Sequence, residues 1–264
     1  MSNEVSPSQN GIIRLRTSAR LRKRINEDLI DLTEDDRPCS SDGSDGSTKK
    51  SLKLDEAEAK KEKRQEELQC LLLDGPEGWL NDKVIFDYLR MAISDSTIVD
   101  SLVWQDYYDL EKYGVPVSRL DMGDGLILIP TMTELHWILI ALDNQSGLLV
   151  YFDTMRNEIS TATEKKLMKI ARKIFQDYSN IPEEDWPTFR IRKASNKLFT
   201  EQDDEDSCGP LVCMMAKAIS DNRPLLFTPE DILKWRRETY DYLLANEPPP
   251  MPRGRRRNDQ RSFS

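Results

Sequence analysis

The chain has 264 residues, a formal net charge of -9 and 32% charged residues. That length suits one sizeable domain with tails, and the acidic total argues against general nucleic-acid binding while suiting basic partners. The opening MSNEVSPSQN is too polar for a secretory signal, and no apolar run approaches the roughly 18 residues a transmembrane helix needs, so no membrane association is expected.

Every aromatic residue except Phe263 lies between Trp79 and Tyr242. Residues 1–50 have none and are rich in Ser, Asp and Lys, so they cannot bury enough apolar surface to offset their ordering entropy and read as a disordered tail. Residues 51–73 are charged helix formers and read as a solvated helix leading into the domain. Residues 74–246 read as the folded domain, and 247–264 as a Pro/Arg-rich disordered tail. Within the domain, Asn81 is placed to cap a helix with Val84, Ile85, Tyr88 and Leu89 on one face. Leu126 to Pro130 reads as a short buried strand. Two apolar runs follow, His136 to Leu142 and Leu148 to Phe152, separated by the turn formers Asp143-Asn144-Gln145-Ser146-Gly147. They read as a β-hairpin. With Leu142 opposite Gly147, the same register sets His136, the only histidine in the chain, opposite Asp153. A histidine facing a carboxylate is the base-and-orienter half of a nucleophilic triad.

Further along, Thr161 and Glu164 form a capping box before a helix with Leu167, Met168, Ala171, Ile174, Phe175 and Tyr178 at helical spacing. Thr188 to Arg192 alternates like a strand. The run Leu211 to Ile219 reads as a buried helix, and Thr228-Pro229-Glu230 opens a final amphipathic one. Hairpin strands beside several helices indicate an α+β fold.

The four cysteines are Cys39, Cys70, Cys208 and Cys213. They form no paired framework, as expected in a reducing compartment. One histidine and no CxxC pair leave no zinc-ligand spacing, and neither metal nor cofactor is expected. Cys39 falls in the tail, Cys70 on a polar helix and Cys213 in the middle of an apolar one. Cys208 stands where the polar loop Gln202-Asp203-Asp204-Glu205-Asp206-Ser207 meets a buried helix. The helix N-terminus favours a thiolate there, while the nearby acids oppose it, so a histidine partner matters. Gly209 permits a close backbone approach, and Pro210 fits the first turn.

At these residues the chain resembles the ubiquitin-like-protein-specific cysteine proteases, the SUMO/sentrin-specific group. The matching pieces are Gly78-Trp79-Leu80-Asn81-Asp82, His136-Trp137, Tyr151-Phe152-Asp153, and Gln202 six positions before Cys208-Gly209. Asn222 to Thr228, before the last helix, is a further echo. The resemblance covers roughly residues 66–246. It implies a papain-like cysteine protease core of the ubiquitin-like-protease type, a mixed sheet flanked by helices. It also implies the roles: Cys208 as nucleophile, His136 as base, Asp153 as its orienter, and Gln202 with the Cys208 N–H as oxyanion donors, a contribution of about 3–4 kcal/mol per donor. Trp79 and Trp137 become the walls of a tunnel for a Gly-Gly tail, with Gly209 beside it, and Asp82 a contact for the modifier's basic surface. Two positions depart from the family pattern: Ser207 stands where Asp is usual, and Asp204 where Asn is usual.

The implied activity is cleavage after the C-terminal Gly-Gly of SUMO, as an isopeptidase or in precursor maturation. A deneddylase of the same fold and a catalytically impaired SUMO-binding module are the alternatives. In the tail, Ile30, Asp31 and Leu32 within Leu29 to Asp36 look like a SUMO-interacting motif, which binds by adding a strand to a sheet edge. The basic cluster Arg14 to Arg24 reads as a nuclear-import signal. The expected partners are SUMO or a related modifier and its conjugates, the expected state a monomer, and the expected location the nucleus.

Overall fold

The computed structural model describes residues 58–104, 114–115, 117–118 and 125–249. The basic cluster, Ile30, Asp31, Leu32, Cys39 and the Arg-rich tail lie outside the described residues.

Five strands form one mixed sheet in chain order: β1 (Thr97–Ile98), β2 (Leu126–Thr133), β3 (His136–Asp143), β4 (Leu148–Phe152) and β5 (Arg190–Lys193). The central pairs β2–β3 and β3–β4 are antiparallel, and the outer pairs β1–β2 and β4–β5 are parallel. Among the described residues four α-helices follow the lead-in helix at 58–68: α1 (Asp82–Ala92), α2 (Thr161–Tyr178), α3 (Cys208–Ser220) and α4 (Pro229–Ala245). On one face of the sheet Leu128, Leu139, Ala141, Val150 and Phe152 pack with α1, α3 and α4. On the other Ile127, Ile129, Ile138, Ile140, Leu149 and Tyr151 pack with Leu167, Ile170, Ala171, Ile174 and Phe175 of α2. A sheet covered on both faces needs apolar residues on both, which explains the unbroken apolar run of β3. The papain-like, mixed-sheet α+β expectation agrees with this architecture.

Strand β2 runs on through Pro130 to Thr133, further than its apolar stretch indicates. Pro130 pairs with Leu139 on one side, while β1 reaches only Ile127 and Leu128 on the other, so the missing N–H breaks no ladder. The β2–β3 turn is Glu134-Leu135, with φ of 50° and 66°. Positive φ at both central residues is the type I′ hairpin pattern, usually built with Asn-Gly. Two side-chain-bearing residues hold it here, immediately before His136.

The β3–β4 register differs from the one predicted. Asp143 pairs with Leu148, and Leu139 with Phe152, which shifts the partner of every β3 residue by two. The reason lies in the turn: Gly147, at φ 67°, returns its N–H to the Asp143 carbonyl, and the Asp143 carboxylate accepts from Gln145 and Ser146. Asp143 thus closes the ladder instead of opening the loop. A slip of two keeps the face of every side chain, whereas a slip of one would reverse it.

Local caps account for the helix starts. Asn81 Oδ1 accepts from Val84 N at 2.9 Å, as expected. Thr228 and Asp231 form a capping box on α4. For α2 the expected box is corrected: the cap is Ser160, which accepts from Thr163 N, and Thr161 is already helical. The described part of the lead-in segment, 58–73, is also less solvated than its charge indicates. Leu68 and Leu71 are fully buried in the core beside α1 and α4, because the charged helix ends in a 3-10 turn (Gln69–Leu71) that points its leucines inward.

Candidate active site

β3 begins at His136 and its antiparallel neighbour β4 ends at Phe152, so both termini lie at the same end of the sheet. By the alternation of strand side chains, His136, Ile138, Tyr151 and Asp153 share the α2 face. Asp153 stands diagonally across from His136 instead of directly opposite, a separation that long polar side chains bridge. His136 Nε2 lies 2.8 Å from Asp153 Oδ1. A carboxylate can only accept, so Nε2 carries the proton and Nδ1 faces away from Asp153, free for the Cys208 thiol, which lies near enough to raise the ring's pKa. Asp153 is held in turn by the Met155 N–H at 2.9 Å on Oδ1 and the Tyr151 hydroxyl at 3.3 Å on Oδ2.

Cys208 is the first residue of α3, and the helix approaches from the opposite face of the sheet. The thiol and the imidazole meet where the two faces end. His136, Asp153 and Cys208 are all buried, at 8%, 2% and 7% exposure. Burial alone lowers the imidazole pKa, but the hydrogen bond to Asp153 and then that to Cys208, with the charges of both, outweigh it and raise His136 to about 9. For Asp153, burial raises the pKa, and the His136 hydrogen bond and charge reverse this, leaving the carboxyl below its usual range. Both partners shift toward an imidazolium–carboxylate pair, as mutual stabilisation requires.

The other cysteines differ. Cys213, a turn and a half further along α3, is fully buried, and burial pushes its thiol well up. Cys70 is half-buried, and burial raises it too. A protonated thiol is a poor nucleophile.

The 202–208 loop is anchored beside the acid. Gln202 N donates to the Thr154 carbonyl at 3.0 Å, and Thr154 Oγ1 to Gln202 Oε1 at 3.1 Å. Gln202 Nε2 donates to the Asp204 carbonyl at 2.8 Å and, more weakly, to its Oδ1 at 3.3 Å. The Asp204 carboxylate also accepts from the N–H groups of Asp206 and Ser207 at 3.1 and 2.8 Å, and from the Ser207 hydroxyl at 2.5 Å. Burial opposes the charge on Asp204, but the Ser207 hydroxyl and these N–H groups hold its carboxyl below the usual range. The two positions that depart from the family pattern are therefore partners of one another, and together they close the loop. Ser207 gives its hydroxyl to Asp204 and offers no side-chain cap to α3, so the positive pole of the helix is left to the Cys208 region.

Trp79 and Trp137 occupy different environments. Trp137 is 3% exposed and belongs to the core, whereas Trp79 is 40% exposed. They are linked through the backbone: Trp137 Nε1 donates to the Leu80 carbonyl at 2.9 Å. The close approach expected at Gly209 is made by the Leu80 side chain, not by a passing backbone; a Cβ there would lie 2.9 Å from Leu80 Cβ. Asp82 is partly exposed at the start of α1.

Residues 125–246 match the family described as Ulp1 protease family, C-terminal catalytic domain. The matched residues are similar to that family's catalytic domain, and they carry His136, Asp153 and Cys208. The chain is similar to sentrin-specific protease 5 of Mus musculus, 28% identical over 186 residues that cover 65% of this chain and 23% of that protein. It is also similar to sentrin-specific protease 3 of Homo sapiens, 25% identical over 178 residues, covering 63% of this chain and 29% of that one. The chain thus spans about a quarter of the length of the sentrin-specific proteases it matches. Among solved structures it resembles a C-terminal Ulp1 protease domain in complex with SMT3, the yeast ortholog of SUMO. The TM-score is 0.50 at 19% identity, covering 70% of this chain and 95% of that one. The Ulp1 fold is shared with that domain.

Sequence reasoning did not single out Tyr151, Thr154, Met155 or Arg236 among the site's supports. Tyr151 was quoted only as part of Tyr151-Phe152-Asp153, which Thr154 follows, and a buried tyrosine in step with an acid was a usable signal for its supporting role. Arg236 carries no local signal, because its partners are distant in the chain.

Proposed function

We propose that this Ulp1-family domain is a SUMO-specific protease that cleaves after the modifier's terminal Gly-Gly, both from target lysines and from the precursor. The observation that carries the reading is the meeting of Cys208, His136 and Asp153 at one end of the sheet, in a domain whose relatives are sentrin-specific proteases. The solved Ulp1 domain held by SMT3 supports SUMO as the partner.

His136 Nδ1 takes the proton of Cys208, and the sulfur attacks the carbonyl carbon of the last glycine. The oxygen gains the charge and is met by Gln202 and the Cys208 N–H. Collapse breaks the C–N bond, and the leaving amine takes the proton from His136. A water molecule, deprotonated by the same imidazole, then attacks the thioester and releases the modifier with a free carboxylate, restoring the thiol. Asp153 holds the ring tautomer and supports its positive charge throughout. Trp79 and the Trp137-anchored backbone form the entrance for the tail, where glycine alone lets a chain pass between bulky walls. Asp82 pairs with basic residues of the modifier.

Ile30 and Leu32, flanked by Asp31 and the following acids, add a second contact to SUMO by strand addition. The basic cluster Arg14 to Arg24 directs the protein to the nucleus.

The decisive experiment is labelling with SUMO carrying a C-terminal electrophile. Covalent capture at Cys208, lost in Cys208→Ala, is expected. Capture by the equivalent neddylation-modifier probe, with none by SUMO, would make the enzyme a deneddylase. Binding of SUMO without capture would make it a non-catalytic module.

A further inference from the structure

Arg236 lies on α4, far in sequence from every residue discussed above, and is 4% exposed. A buried guanidinium is retained only where its donors are met. Here one nitrogen, Nη1, donates to the carbonyls of Cys70 at 3.1 Å and Gly78 at 3.0 Å. The other, Nη2, donates to the Asp206 carbonyl at 2.9 Å and to its Oδ2 at 3.3 Å. The same Oδ2 accepts from Gly75 N at 3.2 Å. The planar fork of arginine therefore spans two chain segments, one nitrogen on each.

Those segments matter. Gly78 precedes Trp79, and Asp206 is two residues before Cys208. The segments also approach closely: a Cβ on Gly78 would lie 2.3 Å from the Leu73 carbonyl oxygen and 3.2 Å from Asp206 Oδ2. Trp79 is thus suspended between two anchored carbonyls, Gly78 bound to Arg236 and Leu80 bound to Trp137. His136 and Asp153, by contrast, are held at the end of the sheet by each other, by the Met155 N–H and by the Tyr151 hydroxyl.

We propose that Arg236 is a positioning residue that clasps the Trp79 segment to the Cys208 loop and so sets the width of the entrance through which the modifier's tail reaches the thiol. The inference rests on the proteolytic reading above and names the regulator of that entrance. Lysine keeps the charge, but its three donors sit on one nitrogen and cannot reproduce the planar fork that places one nitrogen on each segment.

The test compares two reactions of the full chain, with thermal melting to establish that each variant is folded at the assay temperature. Cleavage of a SUMO C-terminal fluorogenic ester or amide requires the entrance, whereas alkylation of Cys208 by iodoacetamide needs only the thiol and its base. For Arg236→Lys, kcat/KM for cleavage is expected to fall at least 20-fold, with the alkylation rate and its pH profile unchanged within twofold. Asp206→Ala, which removes one of the two bonds to Nη2, is expected to fall 3- to 10-fold, and Gly78→Ala to raise KM. Combined with Arg236→Lys, Gly78→Ala should add little further, because both loosen one contact. Cleavage retained within threefold in Arg236→Lys would overturn the proposal. So would a parallel loss of cleavage and alkylation, which would make Arg236 a support of the whole fold. Should Arg236→Lys not fold, the same criteria apply to Asp206→Ala and Gly78→Ala, with unchanged cleavage in both as the overturning result. If the parent chain does not cleave the substrate, the proteolytic reading fails first, a result distinct from each of these.

Discussion

The two halves of the site are built by different means. His136 opens β3 and Asp153 directly follows the last residue of β4, so the pleat of adjacent strands sets their direction, and a slip of two residues left both on the same face. The proposed nucleophile Cys208 and oxyanion donor Gln202 stand at a helix start and on a loop, where no ladder fixes geometry. There Asp204, Ser207, Thr154 and Arg236 do the fixing through side chains. A strand-borne group is robust because many backbone bonds share its support, while a loop-borne group depends on each polar contact that holds it.

Removing the reacting groups breaks both halves equally. Cys208→Ala or His136→Ala should each lower kcat by about 10⁴-fold or more in SUMO cleavage, since triad members act as a unit, and no second histidine exists to substitute. Equal loss in the two would show that they belong to one machine.

The loop half comes next. Gln202→Ala should cost about 10²–10³-fold in kcat with little change in KM, as loss of one oxyanion donor does. Asp204→Ala should act in the same direction but less, about 10-fold, because it frees Gln202 and Ser207 without deleting the donor. An Asp204 effect confined to melting temperature would break the contrast drawn here.

The sheet half is best examined by titration. With a single histidine, one imidazole signal in an NMR pH series reports on His136 alone. Its midpoint is expected at about 9. It should fall in Cys208→Ala and fall further in Asp153→Asn, since the Asp153 bond is the larger of the two raising causes. The stability consequence follows from the signs. The raised His136 contributes in full below its unfolded value, about 6.5, and that contribution is lost as pH rises through 9. The lowered Asp153 contributes above its unfolded value, about 3.9, and loses that contribution as pH falls through its folded one. The parent chain's advantage over His136→Gln in denaturant melts should therefore plateau between about pH 4 and 6.5, on the order of 2–3 kcal/mol, and fade toward pH 9.

The smallest effect belongs to Cys213. Cys213→Ala should leave kcat/KM within about twofold and lower stability by about 1 kcal/mol, through a small cavity on α3. The contrast with Cys208, five residues away on the same helix, is one of position, not of residue type.

Much of this was legible from the chain. Strands β2 to β5, the helix that opens at Cys208, the Asn81 and Thr228 caps and the His136–Asp153 pairing all follow from periodicity and local turn chemistry, whereas the two-residue β1 carries no such signal. These are short-range effects, decided within a few residues. The β3–β4 register was missed by two positions because Asp143 could either close the ladder or open the turn, and only the Gly147 N–H returning to its carbonyl settles which. The Glu134-Leu135 turn was missed because neither residue ordinarily signals positive φ.

The sequence by itself determined the fold class and the side of the sheet on which His136 lies, and it singled out Cys208, His136 and Asp153 as the candidate reacting groups, because periods of 2 and 3.6 and the chemistry of Cys, His and Asp are written in single residues and spacings. Only the tertiary structure decided how the loop is held. The partnership of Asp204 with Ser207, the anchoring of Gln202 on Thr154, and the clasp of Arg236 on Cys70, Gly78 and Asp206 depend on hydrogen bonds whose geometry no linear pattern encodes. Such contacts arise when packing of the apolar faces brings distant polar groups together and burial leaves them no other partner.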